Sequence, residues 1–294
     1  MIRILGTVFA ALLGLAFGSF LNVCLSRWPE GESVVMPRSH CRQCGRMLAW
    51  WENVPLVSWI ALRGRCRGCG SWIGWRYVAV EAAVGGLWAM VAWRALDPGL
   101  YQSVLVLEAI VFVVGNWVFY WLLVGLAALD AENLWLPNSL TLPGLVLGFI
   151  YVLLRETLSA STSIIDKSKS MEVAARHAAS ISILGIAAAA GLILLIRWIY
   201  WFARRREGIG LGDARLMALL AAWLGLPGAL LAFGVAVVLG ATLALIGLAL
   251  PKWDPEESWE WRVLPLGTFL CVGGMVSGLW GQKIIAAYLK WAGL

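Results

Sequence analysis

The sequence predicts an all-α, polytopic membrane protein with about eight transmembrane helices. Hydrophobic residues make up 61% of the chain, charged residues make up only 14%, and the mean hydropathy is +0.80. Apolar runs of about 20 residues, long enough to cross a hydrocarbon core of roughly 30 Å, recur along almost the whole chain. Many of the 19 tryptophans flank these runs, where an interfacial aromatic belt lies. The runs are continuous rather than alternating, which favours helices over a β-barrel.

The apolar runs define the predicted helices and divide the chain into three domains. We predict helices over residues 4–25, 78–96, 103–129, 137–154, 180–202, 214–226, 229–250 and 265–289. The first run is too long for a signal peptide and lacks a convincing cleavage site, so we expect a retained helix. The predicted domains are the first transmembrane helix (1–25), a polar domain (26–77) and a larger membrane domain (78–294). Within the last domain, residues 156–179 are polar and serine-rich and are predicted to form an exposed loop.

The distribution of basic residues predicts how the chain is oriented. Eight arginines lie between residues 26 and 77, and three more follow the fifth predicted helix at residues 204–206. With eight helices these loops share one side of the membrane, and the positive-inside rule makes that side cytoplasmic. The net charge of +6 therefore reports topology and predicts no nucleic-acid partner. Asp130, ending the third helix, and Asp213, opening the sixth, are then expected on the cytoplasmic face.

Four cysteines in the polar domain have the spacing of a zinc ribbon. Cys41 and Cys44 form one CxxC pair, Cys66 and Cys69 form a second, and a glycine follows each pair. The two-residue spacing lets paired thiolates bind one metal ion, and four thiolates in a closed site suit zinc. Disulfides are the alternative, but a reducing cytoplasm disfavours them. We predict one structural zinc ion per chain, because about fifty residues with few aliphatic side chains cannot build much of a core.

Asp130 and Asp213 are the candidate catalytic residues. A carboxylate at the C-terminal end of a helix, like Asp130, opposes the helix macrodipole and gains nothing locally. Asp213 opens an apolar helix, where a carboxylate can also act simply as an N-cap. As a pair on one face, the two can share a proton around a water molecule, so that one acts as general base and the other as general acid. The chain has only two histidines, and no serine–histidine or cysteine–histidine arrangement competes well.

These motifs resemble those of a known family, the bifunctional type IV prepilin leader peptidases and N-methyltransferases, including those that serve type II secretion. The resemblance covers nearly the whole chain. The residues that carry it are Gly18-Ser-Phe-Leu-Asn22-Val, the segment from Pro37 through Cys41 and Pro55 to Cys66, Arg76-Tyr77 with Glu81, Asp130 with Leu136-Pro137-Asn-Ser-Leu140, the GxGD sequence Gly210-Leu-Gly212-Asp213, and Leu264-Pro265-Leu-Gly267-Thr-Phe269.

The resemblance implies an aspartic endopeptidase of the bacterial inner membrane, with Asp130 and Asp213 as its catalytic pair. Such enzymes remove a short basic leader from prepilins or pseudopilins at the cytoplasmic face, while the apolar N-terminal helix of the substrate lies in the lipid bilayer. Gly210 and Gly212 are expected to let an extended substrate approach the backbone.

The resemblance also implies methylation of the new N-terminus, with S-adenosylmethionine as the methyl donor. No GxGxxG motif follows a strand, so the sequence shows no conventional pocket for this donor. Asn22 and Glu81, at the helix ends that adjoin the cysteine domain, are the residues we expect to contribute to its binding.

Two other functions remain open at this point. One is an intramembrane protease of the presenilin or signal-peptide-peptidase kind, although those proteins carry a Tyr-Asp pair where this chain has Leu129-Asp130. The other is a transporter or assembly scaffold with a zinc-stabilised domain and a carboxylate pair that relays protons. Transporters often contain internal repeats, and the sequence shows none.

Overall fold

The computed structural model describes residues 1–97, 106–161, 167–206, 210–249 and 265–293, and most of these residues are helical. The helices are α1 (Ile2–Arg27), α2 (Val57–Ala61), α3 (Trp75–Ala95), α4 (Val106–Asn133), α5 (Asn138–Ser161), α6 (Lys167–Arg204), α7 (Leu211–Ala249) and α8 (Leu266–Ala292). A short 3₁₀ turn covers Trp50–Asn53. Within the described ranges no residue belongs to a β-strand, and only two isolated antiparallel bridges occur.

Seven of the described helices, all except α2, are long and apolar enough to cross a membrane. A cysteine cluster lies between the first two of them. The predicted fold class, an all-α polytopic membrane protein with a small cysteine domain after the first helix, is therefore confirmed.

Helix α7 is interrupted at Gly225. This residue has φ 70° and ψ 170°, a backbone conformation outside the helical region that glycine adopts far more easily than other residues. Pro227 lies two residues later, near the start of the second half, where a missing backbone N–H removes no helical hydrogen bond. The break lies at the end of the predicted helix 214–226 and before the predicted helix 229–250. Both predictions thus correspond to halves of α7.

The second half of α7 packs antiparallel to α8. The Ser277 hydroxyl donates a hydrogen bond to the Gly228 carbonyl at 2.8 Å. Gly240, twelve residues further along α7, lies instead against the ring of Phe269, near the start of α8. Later residues of α7 therefore contact earlier residues of α8, which is the pattern of two antiparallel helices. Gly240 lies beside the N-terminus of α8.

Residues 156–179 are mostly helical, so the predicted loop is wrong over both of its ends. Helix α5 continues to Ser161 and α6 begins at Lys167, while 162–166 lie outside the described residues. Glu172 and Arg176 form an (i, i+4) ion pair with a 2.6 Å contact, and several alanines surround them. The polarity of this segment marks a helix that extends beyond the apolar span rather than a loop.

The chain divides into two compact units, Met1–Ala128 and Leu129–Leu294. The predicted boundaries at 25/26 and 77/78 both fall inside the first unit, and the three-domain division stays a prediction. In the first unit, α1 packs closely against α3: a Cβ atom on Gly18 would lie 2.8 Å from the Glu81 Cα atom. Small residues allow membrane helices to approach each other in this way.

In the second unit, the first half of α7 is the most deeply buried segment. Five of its side chains are completely inaccessible: Leu216, Met217, Leu219, Leu220 and Ala222. A helix that is apolar and buried on all sides lies in the interior of its unit. This packing fixes the position of Asp213, which lies one turn before Leu216.

Candidate functional site

Asp130 lies in the last turn of α4, and only 5% of its surface is exposed. Its Oδ2 atom accepts two hydrogen bonds from Thr268, one from the backbone N–H at 2.6 Å and one from the hydroxyl at 3.1 Å. Thr268 is the third residue of α8, where backbone N–H groups have no partner within the helix and the macrodipole is positive. The carboxylate therefore opposes the dipole of its own helix but is stabilised by the N-terminus of another.

Asp213 is the third residue of α7, and its carboxylate is bonded to the start of that helix. Its Oδ2 atom accepts a hydrogen bond from the backbone N–H of Gly210, the residue before the helix, at 3.2 Å. This is the backward bond that an acidic residue makes at the third helical position of a capping box. The residue is thus placed two positions inside the helix, not at the N-cap, and it does stabilise the helix start.

Asp130 and Asp213 line one cavity of about 440 Å³ in the second unit. The other lining residues are Leu134, Trp135, Leu136, Asn138, Gly210, Gly212 and Arg215. A Cβ atom on Gly267, in α8, would lie 2.8 Å from the Asp130 carboxylate, so α8 begins at this site. Because α7 starts at the cavity and its second half returns toward the start of α8, the chain reverses direction at Gly225.

The two glycines before Asp213 have different surroundings. A Cβ atom on Gly212 would lie 3.2 Å from the Leu136 Cβ atom, so this residue allows close packing of the helix start against Leu136. A Cβ atom on Gly210 would meet nothing nearer than Asp213 Oδ2 at 3.5 Å, an ordinary van der Waals distance. The N–H of Gly210 is already bonded to Asp213.

Thr268 is a site residue that the sequence analysis did not identify. Its bonds to Asp130 join residues 138 positions apart, and no local pattern connects them. The motif around Gly267 indicates a family resemblance, but it does not predict that Thr268 contacts Asp130. Gly267 itself must remain without a side chain, because a Cβ atom there would lie 2.8 Å from both Cγ and Oδ2 of Asp130.

We expect Gly267→Ala to lower peptidase turnover by about tenfold to a hundredfold, because the added methyl group would displace the Asp130 carboxylate by part of an ångström. The measurement is kcat on a purified substrate, with thermal unfolding recorded in parallel. Gly234→Ala is the matched control, since a Cβ atom on that α7 glycine would meet nothing within 4 Å. Equal activity of the two variants would contradict the packing described around Asp130.

The cysteine domain contains two loops of the same construction. The backbone N–H of Gly45 bonds to the Cys41 carbonyl at 2.8 Å, and that of Gly70 bonds to the Cys66 carbonyl at 2.9 Å. Both glycines have positive φ, 70° and 73°, which a β-carbon would disfavour. Each loop is closed by an isolated bridge, His40–Met47 in the first and Arg65–Trp72 in the second. The glycine after each CxxC pair thus forms the turn that ends its loop.

The four cysteine side chains converge on one point and could hold a metal ion. The Sγ atoms of Cys41, Cys44, Cys66 and Cys69 all lie within 4.8 Å of one another, and none of these cysteines forms a disulfide. The Cys41 and Cys69 Sγ atoms are 3.9 Å apart. Tetrahedral zinc with Zn–S bonds of about 2.3 Å requires sulfur atoms about 3.8 Å apart, so the donor set fits zinc.

Buried ionic groups hold the first cysteine loop in place. Arg27, only 5% exposed, donates hydrogen bonds to the carbonyl oxygens of Ser33 at 2.7 Å and Pro37 at 2.6 Å. The buried Glu52 accepts a hydrogen bond from the Ala49 N–H and pairs with Arg46. The Ala49 N–H, together with the Arg46 guanidinium, holds the pKa of the Glu52 carboxyl below its usual range.

A second cavity, of about 320 Å³, lies in the first unit beside the cysteine cluster. Asn22, Glu81, Cys41 and Cys66 are among its lining residues. The structure thus brings together Asn22 from α1 and Glu81 from α3, the two residues that the sequence analysis associated with methyl-donor binding. Catalytic and cofactor candidates consequently line two different cavities, one in each compact unit.

Two carboxylates thus lie at one cavity, among helices long enough to cross a membrane. Residues 117–245 match the type IV leader peptidase family, and residues 12–95 match the bacterial peptidase A24 N-terminal domain. The chain belongs to the type IV leader peptidase family and is a multi-pass membrane enzyme with peptidase activity.

Similar proteins cover nearly the whole chain. It is 30% identical to the prepilin leader peptidase/N-methyltransferase of Stutzerimonas stutzeri, over 97% of this chain and 94% of that protein. It is 31% identical to the protein of the same name from Pseudomonas aeruginosa, over 96% and 93% of the two chains. With the one from Burkholderia pseudomallei the identity is 35%, over 93% and 85%. No solved structure matches the chain.

Proposed function

We propose that this chain is an aspartic endopeptidase that removes the leader from type IV prepilins or pseudopilins at the cytoplasmic face of the bacterial inner membrane. The observation that carries the proposal is the placement of Asp130 and Asp213 at one cavity, each bonded to a helix N-terminus. The names of the similar proteins support prepilins as the substrate class.

The two carboxylates can perform the hydrolysis without a metal ion or a covalent intermediate. With one proton shared between them, the ionised carboxylate removes a proton from a water molecule as it attacks the scissile carbonyl. The protonated carboxyl group then supplies a proton to the departing amine. Thr268 orients Asp130 through two bonds to Oδ2, which leaves Oδ1 without a bond from this residue.

The position of the site suits a substrate with a basic leader and an apolar stem. Asp130 lies in the last turn of one membrane-length helix and Asp213 in the first turn of another, so both belong at a membrane boundary. A prepilin stem would lie in the bilayer beside these helices, while its leader stays in the cytoplasm. The arginine-rich cysteine domain supports the cytoplasmic assignment through the positive-inside rule.

We expect bulky residues at both Gly210 and Gly212, for example Gly210→Val with Gly212→Val, to reduce leader cleavage by at least about tenfold. The side chain introduced at position 210 would block an extended substrate beside Asp213. The one introduced at position 212 would push the helix start away from Leu136. The measurement is the initial rate of cleavage of a prepilin peptide by each single and double variant. A slow Gly210→Val enzyme would support substrate approach at this position, and full activity of the double variant would refute it.

Methylation of the new N-terminus is the second proposed activity, and S-adenosylmethionine is the proposed methyl donor. S-adenosylmethionine, when bound, would supply an activated methyl group. The cavity of the first unit is the proposed donor site, because Glu81 and Asn22 present acceptor oxygens there that suit a positively charged ligand. Their part is to bind and orient that ligand.

The zinc ion that we propose for Cys41, Cys44, Cys66 and Cys69 is structural. Four thiolates leave no open coordination position for a substrate. The ion would join the two cysteine loops, whose backbone contacts are otherwise confined to turns and single bridges. By holding Cys41 and Cys66 in place, the ion would stabilise one wall of the cavity that these two residues line.

Mass spectrometry of a pseudopilin co-expressed with the full chain tests both activities together. We expect loss of the leader, with cleavage after a glycine, and the additional mass of one methyl group on the new N-terminus. Binding of the substrate without cleavage would contradict the peptidase proposal and favour a scaffold. Cleavage without the added methyl mass would contradict only the methyltransferase part.

A further inference from the structure

Glu81 is a buried carboxylate without a cationic partner in the part of the chain that the structure describes. Only 7% of the residue is exposed, and its Oε2 atom accepts a hydrogen bond from the Leu56 N–H at 2.8 Å. The side chains of Ser19 and Asn22 lie against the same carboxylate. All these partners are neutral, and among the described residues no lysine, arginine or histidine forms an ion pair with Glu81. Removing a carboxylate from water without a cationic partner is costly, so such a group indicates a role in binding.

Asn22 presents a second acceptor with no partner. Its Nδ2 atom donates to the Tyr77 carbonyl at 2.9 Å, which fixes the orientation of the amide. Its Oδ1 atom is buried and has no hydrogen-bond partner within the described chain. The residue is only 2% exposed and lines the same cavity as Glu81. A buried acceptor that no donor reaches destabilises the folded chain, so a ligand that donates a hydrogen bond to it is favoured.

The arginines that line this cavity are bonded elsewhere. Arg27 donates to two backbone carbonyls of the cysteine domain, and Arg42 pairs with Glu30 at 2.6 Å. Arg67 lies over the ring of Trp51, 5.2 Å from its centroid. None of these contacts involves Glu81, so its charge remains available to a ligand.

We propose that Glu81 and Asn22 form a binding site for a primary ammonium group. The carboxylate requires a positive charge, and the amide oxygen requires an N–H donor, and a protonated amine supplies both. A sulfonium group carries the charge but has no hydrogen to donate, so it satisfies only Glu81. The inference rests on the proposed methyltransferase function, which offers two sources of this group: the new α-amine of the cleaved substrate and the amino-acid end of the methyl donor.

Calorimetric titration of the purified full chain distinguishes the two sources. The probes are a peptide with a free N-terminal phenylalanine, the same peptide with an acetylated N-terminus, and S-adenosylhomocysteine, which keeps the amino-acid ammonium but lacks the sulfonium charge. Binding of the free peptide but not of the acetylated peptide identifies the substrate amine. Binding of S-adenosylhomocysteine identifies the amino-acid end of the donor.

We expect Glu81→Gln to weaken binding of the ammonium-bearing probe by at least about tenfold, since a hydrogen bond to a charged group contributes roughly 1.5–3 kcal/mol. Asn22→Ala should weaken it less, and Glu81→Asp should restore part of the loss. Asp97→Asn is the matched control, because Asp97 is a partly exposed carboxylate of the same unit that pairs with Arg3 at 3.0 Å and does not line the cavity. Its binding should stay within about twofold of wild type.

The proposal is overturned if neither ammonium probe binds the wild type, or if Glu81→Gln binds as the wild type does with an unchanged melting temperature. If Glu81→Gln does not fold, the Asn22→Ala and Glu81→Asp titrations decide. Co-expression with a pseudopilin separates this inference from the proposed function. If the wild-type chain transfers no methyl group, the methyltransferase proposal is refuted. If wild type and Glu81→Gln both transfer methyl groups, with rates that depend on substrate concentration in the same way, only the ammonium site is refuted.

Discussion

Asp130→Asn and Asp213→Asn are each expected to reduce leader cleavage by at least about a hundredfold, because each removes one half of the acid–base pair. Both variants should fold as the wild type does. An asparagine at position 130 can still accept the two Thr268 bonds, and one at position 213 can still accept the Gly210 bond. The rate of leader release from a purified prepilin, with thermal unfolding of each variant, measures the effect.

Glu132→Gln is the control for these two variants. Glu132 lies two residues from Asp130 in the same helix, but it is exposed and does not line the cavity. Its conversion to an amide should leave the cleavage rate within about twofold of wild type. A fully active Asp130→Asn enzyme would end the proposal of a catalytic pair, whatever the behaviour of the Asp213 variant.

Removal of the metal is the change with the second largest expected effect. Structural zinc sites of this type contribute about 10–16 kcal/mol to the folding of small domains at neutral pH. The backbone contacts of the loops around Cys41 and Cys66 are confined to turns and single bridges, so Cys41→Ser with Cys66→Ser should lose the metal and the order of both loops. Elemental analysis should find one zinc ion per wild-type chain, and close to none in the double variant.

Cys24 and Cys271 provide the control for the cysteine substitutions. Both are buried in membrane-length helices, at 1% and 0% exposure, and neither belongs to the cluster. Chains with Cys24→Ser or Cys271→Ser should therefore keep a full complement of metal. Wild-type protein without zinc would refute the structural role, and a metal-free chain with protease-resistant cysteine loops would refute the dependence of folding on it.

Much of the fold follows from the sequence because membrane helices are strongly constrained. Each predicted apolar run corresponds to one described helix or to one half of α7, since a chain in hydrocarbon must satisfy its backbone groups internally. The prediction failed over 156–179, where polarity was taken as a sign of a loop. A helix that leaves the bilayer can be polar on all sides and remain helical, and hydropathy alone does not distinguish the two.

The sequence predicts the chemical groups of the two candidate sites, but not the residues that hold these groups in position. The cysteine spacing and the GxGD sequence are local patterns, and they predicted residues that the structure brings together in a cluster and at a cavity. The partner of Asp130 was not predictable, because Thr268 lies on a helix that reaches it only in the folded chain. The missing partner of Asn22 Oδ1 likewise becomes visible only when burial and contacts are known.

The contact between Gly267 and Asp130 also has a consequence for stabilising this enzyme. Glycine within a helix lowers stability by about 1 kcal/mol relative to alanine, so replacing helical glycines is a common route to higher melting temperatures. At position 267 that substitution would place a methyl group against a carboxylate that the proposed reaction needs. Libraries designed for thermostability should therefore keep this glycine fixed and direct their alanine substitutions to open positions such as Gly191 and Gly234, where no atom lies within 4 Å of the new Cβ.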